Sequence, residues 1–261
     1  MQGNEIVRLP VAVFTLVRPS SEIPLGAAVR RRVKLLEVRL DRFGPEAWRS
    51  VVAEARRDFP SARLLLTIRF AKDGGAWPDG VSRRDALAQA LSLAQWDYLD
   101  VEWDAPDWTE LEPLVRRHLG WTRLVVSRHD FVPAPEGLDA ALDGVWKAAL
   151  ARGAAVAKWA GVLSDPTREA DALYAFASLH SQETTVPAVF AMGADAMPTR
   201  VAAALLGGGW SYGHDGVGEA APGQLPWTVL DALLQSLPAA NPCSQAWLEA
   251  VERAIRLAVQ P

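Results

Sequence analysis

Eight short apolar runs alternate with eight longer amphipathic segments, and this alternation constrains the fold more than any other feature of the chain. The apolar runs have strand length and lie at 11–17, 33–40, 62–70, 98–103, 123–129, 154–160, 186–192 and 209–213. The segments with helical periodicity lie at 45–58, 82–94, 107–118, 136–151, 166–180, 197–206, 226–237 and 243–258. Regular strand–helix alternation is typical of a parallel sheet with crossover helices. Eight such units in about 250 residues predict an α/β fold, the closed (β/α)₈ barrel.

The alternation continues along the whole chain, so we predict one domain over residues 1–261. No Pro/Ser-rich linker or block of charge divides the sequence. The competing architecture is an open doubly wound sheet, whose phosphate-binding turn has the pattern G-x-G-x-x-G after the first strand. That pattern is missing, and the glycines of "GGGW" at 207–210 lead into a strand rather than out of one. The closed barrel is therefore the preferred prediction.

Charge and cysteine content narrow the classes of function. A net charge of −4 argues against a nucleic-acid or anionic-membrane surface, because those need a clustered basic excess. The basic run Arg30–Lys34 is interpreted as a solvated loop end. Cys243 is the only cysteine, which rules out an intramolecular disulfide and fits a reducing compartment. With no signal-peptide pattern and no apolar run near the roughly 18 residues of a membrane helix, we expect a cytoplasmic protein.

Polar and charged residues that could take part in catalysis or binding collect where the predicted strands end. In a barrel, active sites are built from the C-terminal ends of the strands and the loops that follow them. The residues at these ends are Glu37, Arg39, Asp41, Arg69, Lys72, Asp73, Asp100, Glu102, Ser127, His129, Lys158, Met192 and Arg200. Each alone is compatible with an ion pair between strands or a hydrogen-bonded structural side chain. Their concentration at one end of the sheet predicts a functional site.

Lys158 lies in the apolar run "AAVAKWAG" at 154–161. Strand alternation places Val156, Lys158 and Ala160 toward the barrel interior, with Ala157 and Trp159 facing the helices. An ammonium group removed from water is unfavourable, so apolar surroundings lower the pKa of a lysine. We therefore expect a useful fraction of free amine at neutral pH, which is the form that attacks a carbonyl carbon.

Eight short motifs follow one another along the chain: "EVRLD" (37–41), "LTIRFAKDGG" (66–75), "YLDVEW" (98–103), "VVSRHDF" (125–131), "AKWA" (157–160), "AMG" (191–193), "PTR" (198–200) and "APGQ" (221–224). In this order they resemble the type I 3-dehydroquinate dehydratases. The resemblance implies a (β/α)₈ lyase of the shikimate pathway. Such an enzyme removes water from 3-dehydroquinate to give 3-dehydroshikimate through a covalent imine, without a metal or an organic cofactor.

The resemblance also implies roles for nine residues. Lys158 would form the imine, His129 would act as general acid and base, and Asp73 would orient His129. The substrate's carboxylate and hydroxyl groups would be bound by Glu37, Arg39, Arg69, Met192, Arg200 and Gln224. Two positions depart from the family pattern, since Asp73 stands where Glu is usual and Ala220 where Ser or Thr is usual. We expect activity to persist, with weaker binding of the substrate.

Two other functions stay open from the sequence. Another Schiff-base barrel enzyme, such as a class I aldolase, would share Lys158 without needing the hydroxyl- and carboxylate-binding residues. A barrel that binds a metabolite without turnover would be indifferent to the loss of Lys158. The expected partner is a small-molecule substrate, with no nucleic acid or membrane, and the resemblance suggests a homodimer. The stretch "WDAPDW" at 103–108 is interpreted as a loop with a capping Asp before a helix.

Overall fold

The structure is a computed structural model that describes residues 10–193, 197–207, 209–218, 221–236 and 245–259. Its strands are β1 (Val11–Leu16), β2 (Leu35–Arg39), β3 (Arg63–Thr67), β4 (Tyr98–Glu102), β5 (Arg123–Asp130), β6 (Val156–Gly161), β7 (Val186–Ala191), β8 (Trp210–His214) and β9 (Leu225–Pro226). Its helices are α1 (Ala27–Arg30), α2 (Trp48–Asp58), α3 (Arg84–Leu93), α4 (Trp108–His118), α5 (Leu138–Ala151), α6 (Pro166–Leu179), α7 (Met197–Gly207), α8 (Trp227–Ser236) and α9 (Gln245–Val259). None of these helices combines the length and apolarity that a membrane crossing needs.

The strands form one parallel sheet that curls into the predicted barrel. The order of neighbours is β7-β6-β5-β4-β3-β2-β1-β8-β9, so β8 returns to lie beside β1. The remaining seam lies between β7 and β8, where the backbone of Gly209 sits directly against the carbonyl of Pro187. The rings of Phe190 and Tyr212 also meet across this seam, with centroids 5.8 Å apart. Successive crossover helices on the outside complete the (β/α)₈ architecture.

The strand and helix predictions are confirmed, with ends that differ by a few residues. The two additions are α1 and β9, which are too short for hydrophobic periodicity to reveal. Predicted features at Cys243 and Ala220 lie outside the described residues.

The barrel interior is apolar at its N-terminal end and charged at its C-terminal end. Its floor is an apolar layer that includes Val13, Leu35, Leu65 and Val125, separate from the larger core between strands and helices. Tyr98 and Trp210 pack edge to face in the same layer, with ring centroids 4.8 Å apart. Because side chains alternate with period two along each strand, the next interior residues lie closer to the charged C-terminal end of the barrel. The floor therefore leaves a cavity open only toward the C-terminal face.

Strand β6 has the orientation that alternation predicts. Val156 and Ala160 belong to the interior apolar layer, whereas Ala157 and Trp159 pack into the core beneath the helices. The Trp159 indole N–H donates to Asp130 on the neighbouring strand at 2.7 Å, which fixes the outward side of β6. Lys158, between these two outward residues, is buried on the interior side.

The loop at 103–108 ends at the start of α4, but its aspartate does not cap the helix in the predicted way. Asp107 occupies the N-terminal cap position without a side-chain bond to the helix amides. Its carboxylate instead accepts bonds from the backbone and guanidinium of Arg83, at 2.8 to 3.0 Å. Arg83 also pairs with Glu102 and lies over the Phe70 ring. The buried guanidinium of Arg83 therefore links the loops after β3 and β4. Its pairing with Asp107 replaces the helix cap that the sequence predicts.

The basic run at 30–34 is only partly a solvated loop end. Arg31 and Lys34 are exposed, as predicted. Arg30, in contrast, donates to the carbonyl oxygens of Leu25, Ser20 and Ile23 at 2.8 to 3.0 Å. Its guanidinium thereby closes the irregular segment between β1 and β2, because five N–H donors can satisfy several loop carbonyls at once.

Candidate active site

A cavity of about 230 Å³ opens at the C-terminal ends of the strands. All nine residues predicted from the sequence line it: Glu37, Arg39, Arg69, Asp73, His129, Lys158, Met192, Arg200 and Gln224. They come from β2, β5 and β6 and from the loops or helices that follow β3, β7 and β8. Residues more than 180 positions apart in the chain thus meet in one pocket, because parallel strands deliver their ends to the same face.

Lys158 lies at the buried end of this cavity. Its Nζ is 3.4 Å from Oδ2 of Asp100 and 4.1 Å from the centroid of the Tyr212 ring. Burial lowers the pKa of Lys158, Arg69 and Arg39 act in the same direction, and the nearby carboxylates oppose them only in part. The amine is therefore easier to deprotonate than an ordinary lysine, which favours the nucleophilic form.

Arg69 organises the polar groups around Lys158. One guanidinium nitrogen is 2.8 Å from Oδ2 of Asp100, and the other donates to Oγ of Ser127 at 3.1 Å. The latter nitrogen is also 2.8 Å from Nδ1 of His129. A guanidinium has donors only, so Nδ1 must be the acceptor. His129 is therefore neutral in this arrangement, with its proton on Nε2.

The electrostatic surroundings of His129 agree with a neutral ring. Burial holds the pKa of His129 well below its ordinary value, and the positive charges of Arg69, Lys158 and Arg39 lower it further. A neutral imidazole is the form that accepts a proton. The cations around the ring thus keep a base in its unprotonated state, at the cost of lower basicity.

Asp73 lines the cavity from the short helical turn after β3, but its contacts differ from the predicted ones. No hydrogen bond joins Asp73 to His129 among the described residues, and its carboxylate lies 3.4 Å from Nζ of Lys72. Burial, reinforced by the negative charge of Glu102, raises the pKa of Asp73 to about 6. The side chain that contacts the His129 ring is Arg69.

Glu37 and Arg39 are held by partners on β3 and in the loops that follow β2 and β3. Thr67 on β3 donates to Oε1 of Glu37 at 2.9 Å. Arg39 makes two bonds of 2.9 Å to Asp41 and one of 3.2 Å to the carbonyl of Gly74. This fork geometry fixes the guanidinium plane in a way that a single contact would not. Both side chains thus present an oriented charge to the cavity.

Arg200 lies in the first turn of α7 and is almost fully buried. It donates to the carbonyl of Pro222 at 2.9 Å, and its guanidinium carbon is 4.6 Å from the Phe190 ring centroid. A cation at a helix N-terminus reinforces the positive end of the helix dipole, which suits an anionic group. Gln224 and Met192 are buried beside it.

The loops after β7 and β8 approach each other closely beside Arg200. Gly223 has a φ of +72°, and a Cβ atom on it would be only 2.4 Å from the carbonyl oxygen of Gly193. Only glycine fits this contact, because it has no Cβ and tolerates positive φ.

Three residues in or beside this cavity received no role from the sequence pattern. Asp100 was recognised as polar but received no role, although it is the acidic partner of both Lys158 and Arg69. Thr15 and Tyr212 were not recognised, and the hydroxyl groups of both are buried without a hydrogen-bond partner among the described residues. Period-two alternation along β1 and β8 was the signal available for them. In the described ranges, no group of three or more His, Cys, Asp or Glu side chains could hold a metal ion.

Fold and cavity together define the class as a (β/α)₈ barrel protein with a lysine-centred small-molecule site. The model of the type I 3-dehydroquinase family matches residues 19–240, and the chain belongs to that family. A 3-dehydroquinate dehydratase from Pyrobaculum aerophilum is 33% identical over 215 residues, which are 80% of this chain and 65% of the relative. The chain thus spans slightly less than two thirds of that relative's length.

Two further matches agree. A 3-dehydroquinate dehydratase from Methanopyrus kandleri is 29% identical over 213 residues, which are 80% of this chain and 90% of the relative. The crystal structure of a 3-dehydroquinate dehydratase from Geobacillus kaustophilus superposes with a TM-score of 0.73. It is 22% identical and covers 89% of this chain and 92% of its own, so it shows the same fold.

Proposed function

We propose that the chain dehydrates 3-dehydroquinate to 3-dehydroshikimate through an imine on Lys158. The observation that carries this proposal is a buried lysine of lowered pKa at the C-terminal end of the barrel, in a chain of the type I 3-dehydroquinase family. The same cavity holds a neutral histidine and three arginines that suit a carboxylated, hydroxylated substrate. Family membership supports the substrate class, and the lining of the cavity supports the role proposed for each residue.

Lys158 acts as the nucleophile. Its free amine attacks the substrate ketone, and loss of water from the resulting carbinolamine gives a protonated imine. The positive charge on the imine nitrogen withdraws electrons and acidifies the neighbouring carbon. Asp100, whose Oδ2 lies 3.4 Å from Nζ, offsets that charge and leaves the cavity free for the substrate.

His129 acts as the proton carrier. It removes the proton from the acidified carbon and then gives a proton to the departing hydroxyl, which leaves as water. Hydrolysis of the product imine consumes one water and returns the free amine of Lys158. The water released on imine formation is thereby balanced, and the net loss is one water molecule. Arg69 occupies Nδ1 in the ligand-free arrangement. An anionic or hydroxylated substrate competes for the same guanidinium, which frees Nδ1 for the proton. Asp73 lies on the cavity wall, and its carboxyl, with a pKa of about 6, is mostly ionised near neutral pH and places a negative charge beside the site.

The remaining residues bind and orient the substrate. Arg200 takes the carboxylate, because a buried guanidinium at a helix N-terminus is the most favourable site for an anion here. Glu37 and Arg39, together with Arg69, take ring hydroxyls. Met192 contributes an apolar surface, and Gln224 contacts the substrate from the loop after β8. Each bond that holds the ring helps align the scissile C–H bond with His129.

Borohydride reduction in the presence of 3-dehydroquinate tests the proposal directly. We expect a stable adduct on Lys158, located by peptide mass mapping, in the native protein and none in Lys158→Met. Lys147→Met is the matched control, because Lys147 is exposed on α5, where it pairs with Asp143. Normal turnover by Lys158→Met, or an unmodified Lys158 during turnover, would overturn the mechanism.

Product analysis separates this activity from the two alternatives. Dehydration creates a conjugated enone with new ultraviolet absorbance, whereas an aldolase would release two fragments. A barrel that only binds a metabolite would show saturable binding of 3-dehydroquinate with no product. The cytoplasmic location and the homodimeric state remain predictions. Light scattering on the purified chain measures the second, with a mass of twice the monomer expected.

A further inference from the structure

Tyr212 occupies a position on β8 that the proposed mechanism does not use. It pairs in register with Val13 on β1, is buried, and lines the same cavity as Lys158. The Lys158 Nζ lies 4.1 Å from the centroid of its ring, within the range of a cation–π contact. The aromatic face therefore borders the atom on which the imine forms.

The Tyr212 hydroxyl is buried and has no hydrogen-bond partner among the described residues. Buried polar atoms are nearly always paired, because an unpaired one loses its contacts with water and gains nothing in return. Tyr98, in the floor of the same barrel, follows this rule, since its hydroxyl accepts from Arg123 at 3.3 Å. A phenylalanine would fill the Tyr212 site without that loss. The unpaired hydroxyl therefore points to a partner that arrives with the ligand.

The protonation state of Tyr212 restricts what it can do. Burial raises its pKa well above the ordinary value, and the carboxylates of Glu37 and Asp100 raise it further. The hydroxyl therefore keeps its proton throughout the range in which His129 and Lys158 are active. It can donate a hydrogen bond, and it is not a base.

We propose that Tyr212 is a substrate-contacting residue with two separable functions. Its ring face stabilises the cationic imine on Lys158, and its hydroxyl donates a hydrogen bond to an oxygen of the bound polyhydroxylated substrate. This inference rests on the proposed dehydration, because it needs a ligand oxygen and a cationic intermediate beside Lys158. It extends the mechanism, because Tyr212 provides the cation–π contact that Nζ makes among the described residues.

Tyr212→Phe removes the hydroxyl and keeps the ring. We expect KM for 3-dehydroquinate to rise about three- to tenfold, the usual consequence of losing one hydrogen bond. Borohydride trapping on Lys158 should persist, and the melting temperature of the ligand-free protein should stay level or rise, because an unpaired buried hydroxyl has gone. Tyr98→Phe is the matched control and should leave KM and kcat unchanged, because Tyr98 lies in the barrel floor.

Tyr212→Leu removes the ring as well. We expect kcat to fall about threefold or more below that of Tyr212→Phe, together with a slower rate of adduct trapping, because the imine loses its aromatic neighbour. A native KM in Tyr212→Phe overturns the role of the hydroxyl, as does a lowered melting temperature, which would indicate an internal partner. Equal kcat in the two variants overturns the role of the ring. Failure of the proposed dehydration itself would show in the native protein, which would then neither turn over nor be trapped.

Discussion

At the scale of single residues, two aspartates of the candidate active site, Asp73 in the cavity wall and Asp100 beside Lys158, have pKa values displaced in opposite directions. Burial alone would raise the pKa of Asp100, but Arg69 and Lys158 together hold it below its ordinary value. Asp73 is also buried, yet its nearest strong influences include another carboxylate, and its pKa rises to about 6. The difference arises from the neighbours, because Asp100 faces two buried cations, whereas the cation that pairs with Asp73 is the half-exposed Lys72, and a carboxylate lies nearby.

The raised pKa of Asp73 makes a prediction about stability. A carboxyl that is harder to ionise in the folded state stabilises the fold only while protonated, and this contribution is lost as pH rises from about 4 through about 6. Asp73→Asn cannot ionise. We expect its free energy of unfolding at pH 7.5 to exceed the native value by about 1 kcal/mol, after allowance for solvent screening.

Urea unfolding at several pH values measures this difference. The gap between Asp73→Asn and the native protein should shrink as pH falls below about 5, because both then carry an uncharged side chain. A gap that is independent of pH would assign the effect to packing or hydrogen bonding instead of charge.

At the scale of elements, two kinds of prediction from sequence differ in reliability. The buried face of a strand is predicted more reliably than the contacts of a particular side chain. Alternation predicted that Lys158 lies on the side of β6 that faces the barrel interior, and the structure confirms this orientation. A helix-start pattern predicted a capping aspartate before α4, but the carboxylate of Asp107 binds Arg83 rather than the helix. A cap is a local signal, whereas the pairing of Asp107 with Arg83 joins residues 24 positions apart. Long-range partners of this kind depend on the assembled barrel.

The close approach of the loops after β7 and β8 provides a test at the same scale. Gly223→Ala places a Cβ against the Gly193 carbonyl and strains a positive φ. We expect the two loops to separate, which displaces the Arg200–Pro222 contact and raises KM at least fivefold. Steady-state kinetics on the purified variant measure this effect.

Gly216→Ala is the matched control for Gly223→Ala. Gly216 lies in the same loop with a φ of +87° but has open space where its Cβ would be. It should lose about 1 kcal/mol of stability from its strained φ, without a comparable change in KM. Equal KM values in the two variants would show that loop separation does not affect binding.

At the scale of the whole molecule, the barrel closes at the seam between β7 and β8. The regular ladder runs from β7 around to β9, whereas the seam relies on the fit of Gly209 against Pro187 and on ring contacts. A closed sheet has no free edge, so this fit decides whether the two ends of the sheet meet.

Gly209→Ala tests closure. Its Cβ would lie 2.0 Å from the Pro187 carbonyl oxygen, so one strand must move. We expect the free energy of unfolding to fall by about 2–3 kcal/mol and amide exchange in β7 and β8 to accelerate more than elsewhere. Gly120→Ala, with open space at its Cβ, is the control and should be close to neutral.

Much of the architecture followed from the sequence because strand and helix periods are local and repeat eight times. The nine predicted site residues also meet in one cavity, since barrel topology brings all strand ends together. The partner of His129 could not be predicted in this way, because the contact depends on how far the Arg69 side chain reaches across neighbouring strands. Tyr212 was missed for a similar reason, since a hydroxyl without a partner is visible only after all neighbours are placed.

The buried amine also makes one lysine of the molecule selectively reactive. The chain has four lysines, Lys34, Lys72, Lys147 and Lys158. Lys72 and Lys147 each face carboxylates, whereas Lys158 alone combines burial with a lowered pKa and an aromatic neighbour. A small acylating electrophile shaped to enter the cavity would therefore label one position at limiting dose. Such a probe would report occupancy of the pocket in a crude cell extract without purification or a coupled assay.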